Sequence, residues 1–207
     1  MKFWKRRLIA TLILLGLFVL ASFIKVVTLD QGGAVTCLSL LFLWLVTFFF
    51  GFKYGLVCSV LFGLARLGVD CLTPETVNDK LFSILLEYPL GYGVFCLGGL
   101  LKEPKREGYS GFGKVSKEAL FKLRTGYVIG LFGQFVLFVI SAVLFYEPGR
   151  KGTINNLLFC MIYDGSYLLI EGGVTFLALC VPQMGEALLY LKDIIIPGEE
   201  DDTLECF

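Results

Sequence analysis

The chain contains no histidine. That removes the commonest acid–base side chain near neutral pH and a favoured ligand of transition metals. Charge is scarce too. Only 17% of the 207 residues are Asp, Glu, Lys or Arg, and the 18 basic and 18 acidic side chains cancel. Without a net positive charge there is no bulk field to hold nucleic acid. The seven cysteines include no C-x-x-C pair, which leaves no zinc or dithiol redox motif. Five of them lie in apolar runs, where a thiol behaves as a small hydrophobe. Cys206 is followed by one residue only, so no prenylation box closes the chain.

What the chain does have is apolar sequence. Hydrophobic residues make up 57% of it, against about 45–50% in soluble domains, and the mean hydropathy is +0.79. The excess lies in long, nearly uncharged runs, as a bilayer demands. Six are legible: Leu8 to Ile24, Ala34 to Phe50, Tyr54 to Val69, Leu81 to Leu101, Gly126 to Tyr146, and Asn156 to Val181. The first follows a basic start like a signal peptide. It is long for such a segment and no small-x-small site closes it, so it reads as a retained helix. Gly51-Phe52-Lys53 separates the second run from the third. Residues 70–80 and 102–125 read as polar loops, and Glu147 to Gly152 as a turn-rich connection.

Six spans place both termini on one side. Thirteen of the 18 Lys and Arg residues then fall on that side and five on the other, which makes it the cytoplasmic one. The expected fold is an all-α integral membrane protein with six transmembrane helices, N-in and C-in. One transmembrane domain spans residues 1–197. Within it, Gly185 to Ile196 reads as a short amphipathic helix. Residues 198–207 form an acidic cytoplasmic tail.

Three acids sit inside the runs. Burying a carboxylate at membrane depth costs roughly 2.5–3.5 kcal/mol even on lenient scales, so such residues face a cavity or a partner. Glu87 lies in Leu86-Glu87-Tyr88-Pro89, where Tyr88 adds an aromatic face and Pro89 removes a backbone donor. Asp164 lies in Tyr163-Asp164-Gly165-Ser166-Tyr167. Glu171 follows seven residues later, about two helical turns along the same stripe, and reads as a packing group for small residues of a neighbouring helix.

Two near-motifs fail. Gly108 to Val115 almost matches a phosphate-binding loop, but Val115 stands where the magnesium-binding hydroxyl belongs and no strand precedes it. Tyr163-Asp164 is similar to one half of an intramembrane aspartyl protease dyad, but no Gly-x-Gly-Asp supplies the other half. No catalytic set, metal site or cofactor is expected.

Three stretches carry a family resemblance. The first is Phe50-Gly51-Phe52-Lys53-Tyr54-Gly55-Leu56 with Leu61-Phe62-Gly63-Leu64. The second is Leu86-Glu87-Tyr88-Pro89-Leu90-Gly91-Tyr92-Gly93. The third is Val139 to Phe145 together with Tyr163-Asp164-Gly165-Ser166-Tyr167-Leu168. In these the chain resembles the thiamine-specific substrate-binding (S) component of energy-coupling-factor (ECF) vitamin transporters.

The resemblance implies an S-component-like bundle that binds thiamine or a related heteroaromatic cation. It also implies a membrane coupling subunit and two ATP-binding-cassette ATPases as partners, in a cell (inner) membrane. Glu87 and Tyr88 match the family's ligand carboxylate and aromatic. Asp164 falls on its ligand-binding Asn, Tyr146 on a stacking Trp, Gln134 on a Lys, Phe138 on a His and Phe159 on a Tyr. A Trp and a Glu of the family fall near Gly33 and Cys37, where both side chains are missing. Its Ala-x-x-x-Ala docking face corresponds only to Leu12 and Gly16. Two other readings are open: a proton-coupled small-molecule transporter using Glu87, Asp164 and Glu171, and a non-catalytic membrane assembly protein.

Overall fold

Away from water, an uncharged stretch must satisfy every backbone N–H and C=O internally, and a helix does so. The computed structural model describes residues 3–28, 34–36, 38–72, 80–101, 117–146 and 154–196. Helices dominate them. α1 is Phe3–Phe23. An antiparallel hairpin follows, β1 (Lys25–Thr28) and β2 (Ala34–Thr36). α2 is Ser39–Cys71 and α3 is the composite helix Leu81–Leu100. α4 is Lys117–Ser141, prolonged by a π-helical turn to Tyr146. α5 is Ile154–Cys180 and α6 is Pro182–Ile195. Five helices, α1 to α5, are long and apolar enough to cross a membrane.

α2 is not one straight rod. Gly51 breaks it with φ 79° and ψ 179°, a backbone state that glycine adopts without steric cost. Thr47 and Gly55 are eight residues apart, about 12 Å along a straight helix. Yet a Cβ placed on Gly55 would lie 3.0 Å from the Thr47 Cα. The chain therefore folds back at Gly51, and residues 39–50 pack beside residues 52–71. The boundary read from Gly51-Phe52-Lys53 falls at this break.

Three boundaries need correction. The second apolar run does not start its helix at Ala34. Residues 34–36 pair instead with β1, Lys25 opposite Thr36 and Thr28 opposite Ala34. Val and Thr favour this extended form, so the bundle is not purely α. The fourth run is not one regular α-helix. Pro89 cannot donate its backbone N–H, the turn around it widens to a π-helical one at Leu86–Leu90, and Val94–Leu100 tightens to a 3₁₀ helix. Finally, α4 begins at Lys117, inside the expected polar loop. Tertiary contacts account for this. The Trp44 indole N–H donates to the Leu123 carbonyl at 2.9 Å, and Arg124 donates to the carbonyls of Leu179 and Cys180. The phosphate-loop-like stretch and the acidic tail lie outside the described residues.

Contacts fix two ends. At the hairpin end, Lys25 reaches Asp70 near the end of α2, and Lys80 donates to the Phe145 carbonyl at the end of α4. At the opposite end, Arg7 stacks over Tyr54 at 3.5 Å, and Lys192 of α6 lies over Phe48. Between them α3 and α4 cross closely: a Cβ on Gly98 would strike the Gly126 carbonyl. That intimacy brings Glu87 of α3 against α4.

Candidate ligand site

Glu87 sits on the widened turn of α3, half-buried. Two hydroxyls hold its Oε1: Ser83, one turn earlier, donates at 2.9 Å, and Ser141 of α4 at 2.7 Å. The two serines are themselves 3.1 Å apart and both are fully buried. They fix the orientation of the carboxylate between α3 and α4.

Asp164 approaches from α5. It is buried, and the Tyr167 hydroxyl donates to its Oδ1 at 3.2 Å. Its Oδ2 has no hydrogen-bond partner among the described residues. The Glu87 and Asp164 carboxylates lie within electrostatic reach of one another, and of Tyr167. Gln134 of α4 is 1% exposed, and its Oε1 likewise has no partner among the described residues. An unmatched buried acceptor costs about 1–3 kcal/mol. Asp164 Oδ2 and Gln134 Oε1 are two of several such atoms among the described residues, and these two belong to positions read from the sequence as ligand-binding.

The aromatic candidates form a chain of ring contacts. Phe138 lies 6.5 Å from Tyr167 and 6.4 Å from Tyr92, centroid to centroid. Tyr167 meets Tyr163 edge-on at 6.0 Å, and Tyr163 stacks on Phe159 at 6.2 Å. Phe159 is partly exposed, so the chain of rings runs from the protein surface inward. Tyr146 ends the last turn of α4, but its side chain lies outside the described residues. So do Gly33 and Cys37.

Tyr88 is placed differently. It is buried and turned from Glu87, and its hydroxyl donates to Asp70 Oδ2 at 3.2 Å. Asp70 also receives Arg66 Nε at 2.9 Å, and Lys25 lies 3.7 Å away. Sequence reasoning counted Arg66 and Lys25 only as charges and Asp70 only as the start of a loop. The i, i+4 spacing of Arg66 and Asp70 was the available signal. Ser83 and Ser141 gave none, since a serine in an apolar run is ordinary.

Glu171 does other work. Its carboxylate accepts from the Thr36 backbone N–H at 3.2 Å, the Thr36 hydroxyl and the Ser39 hydroxyl at 2.6 Å. Here β2 gives way to α2, and Val35, Thr36 and Ser39 are buried. Non-helical backbone within a membrane bundle needs internal partners, and Glu171 supplies one.

A family model described as thiamine transporter protein (Thia_YuaJ) matches residues 8–190. The chain belongs to this thiamine transporter family. Among solved structures, that of ThiT from Listeria monocytogenes superimposes with a TM-score of 0.60 at 16% identity, covering 86% of this chain and 96% of that one. The likeness extends to the bundle as a whole. No curated protein matches the chain. Family membership makes the protein a membrane transport component for vitamin uptake and not an enzyme. It agrees with the resemblance read from Glu87-Tyr88-Pro89 and Tyr163-Asp164-Gly165.

Proposed function

We propose that this member of the thiamine transporter family captures thiamine, or a thiamine-like heteroaromatic cation, at the hairpin end of a six-pass bundle. It acts as the S-component of an ECF-type transporter, with a separate coupling subunit and two ATP-binding-cassette ATPases. Both termini face the cytoplasm and the hairpin end faces outward. The two limbs of α2 count as separate passes, residues 39–50 being the short one at about 18 Å. The charge bias across the six runs supports the orientation.

One observation carries the reading. Glu87 and Asp164, from different helices, come within electrostatic reach beside Tyr167 and Phe138, and Asp164 Oδ2 has no hydrogen-bond partner among the described residues. A flat cation with N–H donors answers each part of that arrangement. The carboxylates balance its charge, the rings contribute about 0.5–2 kcal/mol per cation–π contact, and the open acceptors receive its donors. Gln134, Phe138, Phe159 and Tyr146 complete the proposed ligand set. Asp164 in place of the family's Asn adds negative charge, which favours a cation.

Titrating purified protein with thiamine while following tyrosine fluorescence tests this. A saturable quench is expected, because Tyr163 and Tyr167 flank the acids. No response to thiamine or any heteroaromatic cation overturns the reading. The proton-relay alternative requires Glu171 to exchange protons, and its hydrogen bonds to Thr36 and Ser39 speak against that. Uptake driven by membrane potential without ATPase partners would favour it instead.

A further inference from the structure

α6 carries two apolar faces, and the bundle buries one of them. Gly185, Leu188 and Leu189 share the buried face, which packs on α1, α4 and the foot of α5. A Cβ on Gly185 would strike the Leu120 side chain of α4, and Lys192 lies over Phe48. Ile196, just past the helix, is also buried. Ala187, Tyr190, Leu191 and Ile194 recur at i, i+3, i+4 and i+7, the spacing of one helix stripe, and all four are exposed. At about 100° per residue this stripe points nearly opposite the buried face. Glu186 and Asp193, seven residues apart, form a third and narrow strip, about 100° from the centre of the exposed stripe.

The neighbouring helices indicate what covers the stripe. α6 leaves α5 at Val181, whose extended backbone turns the chain, and Pro182 opens the new helix. Leu177 and Val181, leading into that turn, are exposed at the end of a helix apolar enough to cross a membrane. α1, on which α6 packs, exposes Trp4, Leu8 and Leu12. The stripe thus continues a lipid-facing surface, at the end of the bundle where α1 begins. A helix with an apolar outward stripe beside a charged strip lies in the plane of the membrane interface, and tyrosine is enriched at that depth.

We propose that α6 is an interfacial helix. Its stripe of Ala187, Tyr190, Leu191 and Ile194 enters the acyl chains of the adjoining leaflet, and its strip of Glu186 and Asp193 turns to water. The occupant of the stripe is lipid, not a protein partner. α6 then fixes the depth of this end of the bundle, and the turn at Val181 marks where α5 leaves the hydrocarbon. The inference is independent of the ligand site.

The test places the full chain in phosphatidylcholine bilayers, with Trp4→Phe removing the exposed native indole and the buried Trp44 left in place. On that background Tyr190→Trp and Ile194→Trp each add a reporter on the stripe, and Glu186→Trp adds one on the acidic strip. Emission is read after subtracting the Trp4→Phe parent. Phosphatidylcholine brominated high on its acyl chains is expected to quench both stripe reporters at least about twofold and the Glu186→Trp reporter much less. Aqueous acrylamide is expected to rank them in the opposite order. Either stripe variant decides should the other fail to fold. Stripe reporters that the brominated lipid leaves unquenched overturn the inference: acrylamide quenching instead would open the stripe to water, and quenching by neither would put it under protein. Equal bromine quenching of stripe and strip also overturns it.

Discussion

Two regions of the bundle hold glutamates, Glu171 buried and Glu87 half-buried, and they use them in different ways. Around Glu171, among the described residues, the donors come from one place, the junction of β2 and α2: a backbone N–H and two hydroxyls. The carboxylate is the internal partner of a backbone that has left the helix. Around Glu87 the donors are two serine hydroxyls from α3 and α4, both on Oε1. A second acid lies within electrostatic reach, with one oxygen open among the described residues. A buried acid in a membrane helix is therefore not by itself a binding site. The origin of its donors and the presence of unmatched acceptors nearby separate the two cases.

The largest expected effect falls on the structural member of the pair. Glu171→Ala leaves the Thr36 N–H and the Ser39 hydroxyl without their acceptor, while the Thr36 hydroxyl keeps only Ser39. Each unsatisfied buried group costs about 1–3 kcal/mol, so thermal unfolding in detergent should occur at a clearly lower temperature, with or without ligand. Stability close to wild type would erase the distinction between the regions.

Glu87→Gln should do the reverse. The amide oxygen still accepts from Ser83 and Ser141, so folding is largely kept. Cation affinity should fall by about 1–3 kcal/mol, the scale of a charged buried contact, as read by titration. Asp164→Asn should weaken binding less, because the amide keeps an acceptor oxygen and Glu87 keeps its charge. A loss larger than that of Glu87→Gln would move the centre of the site to α5.

The smallest effect belongs to Ser141→Ala. Removing one of two donors to Oε1 should reduce affinity by about 0.5–1.5 kcal/mol, an ordinary hydrogen-bond contribution. The unfolding temperature should move little. If stability drops while affinity holds, Ser141 belongs to packing rather than to the orientation of Glu87.

Much of the membrane architecture was legible because hydrophobic length reports directly on a bilayer. The break at Gly51 was visible as a glycine beside a lysine between two apolar runs. The hairpin was not, since Ala34-Val35-Thr36 is as compatible with the start of an apolar helix as with a strand. The early start of α4 was hidden for a related reason. Residues 117–125 look like loop by polarity, and contacts distant in sequence, with Trp44, the end of α5 and Gly185 of α6, reward them for being helical. Within the site, Glu87 and Asp164 stood out because acids are rare at membrane depth. Arg66 with Asp70, and the serines holding Glu87, acquire meaning only when separate helices are brought together.

Equilibrium binding of labelled thiamine to the purified chain, measured for wild type, Glu87→Gln and Lys53→Gln in parallel, is the most direct test of the acid-and-aromatic site. Saturable binding to wild type, retained in Lys53→Gln and weakened about tenfold or more in Glu87→Gln, is the expected result. Wild-type protein that takes up no thiamine, or Glu87→Gln protein that holds it as tightly as wild type, would contradict it.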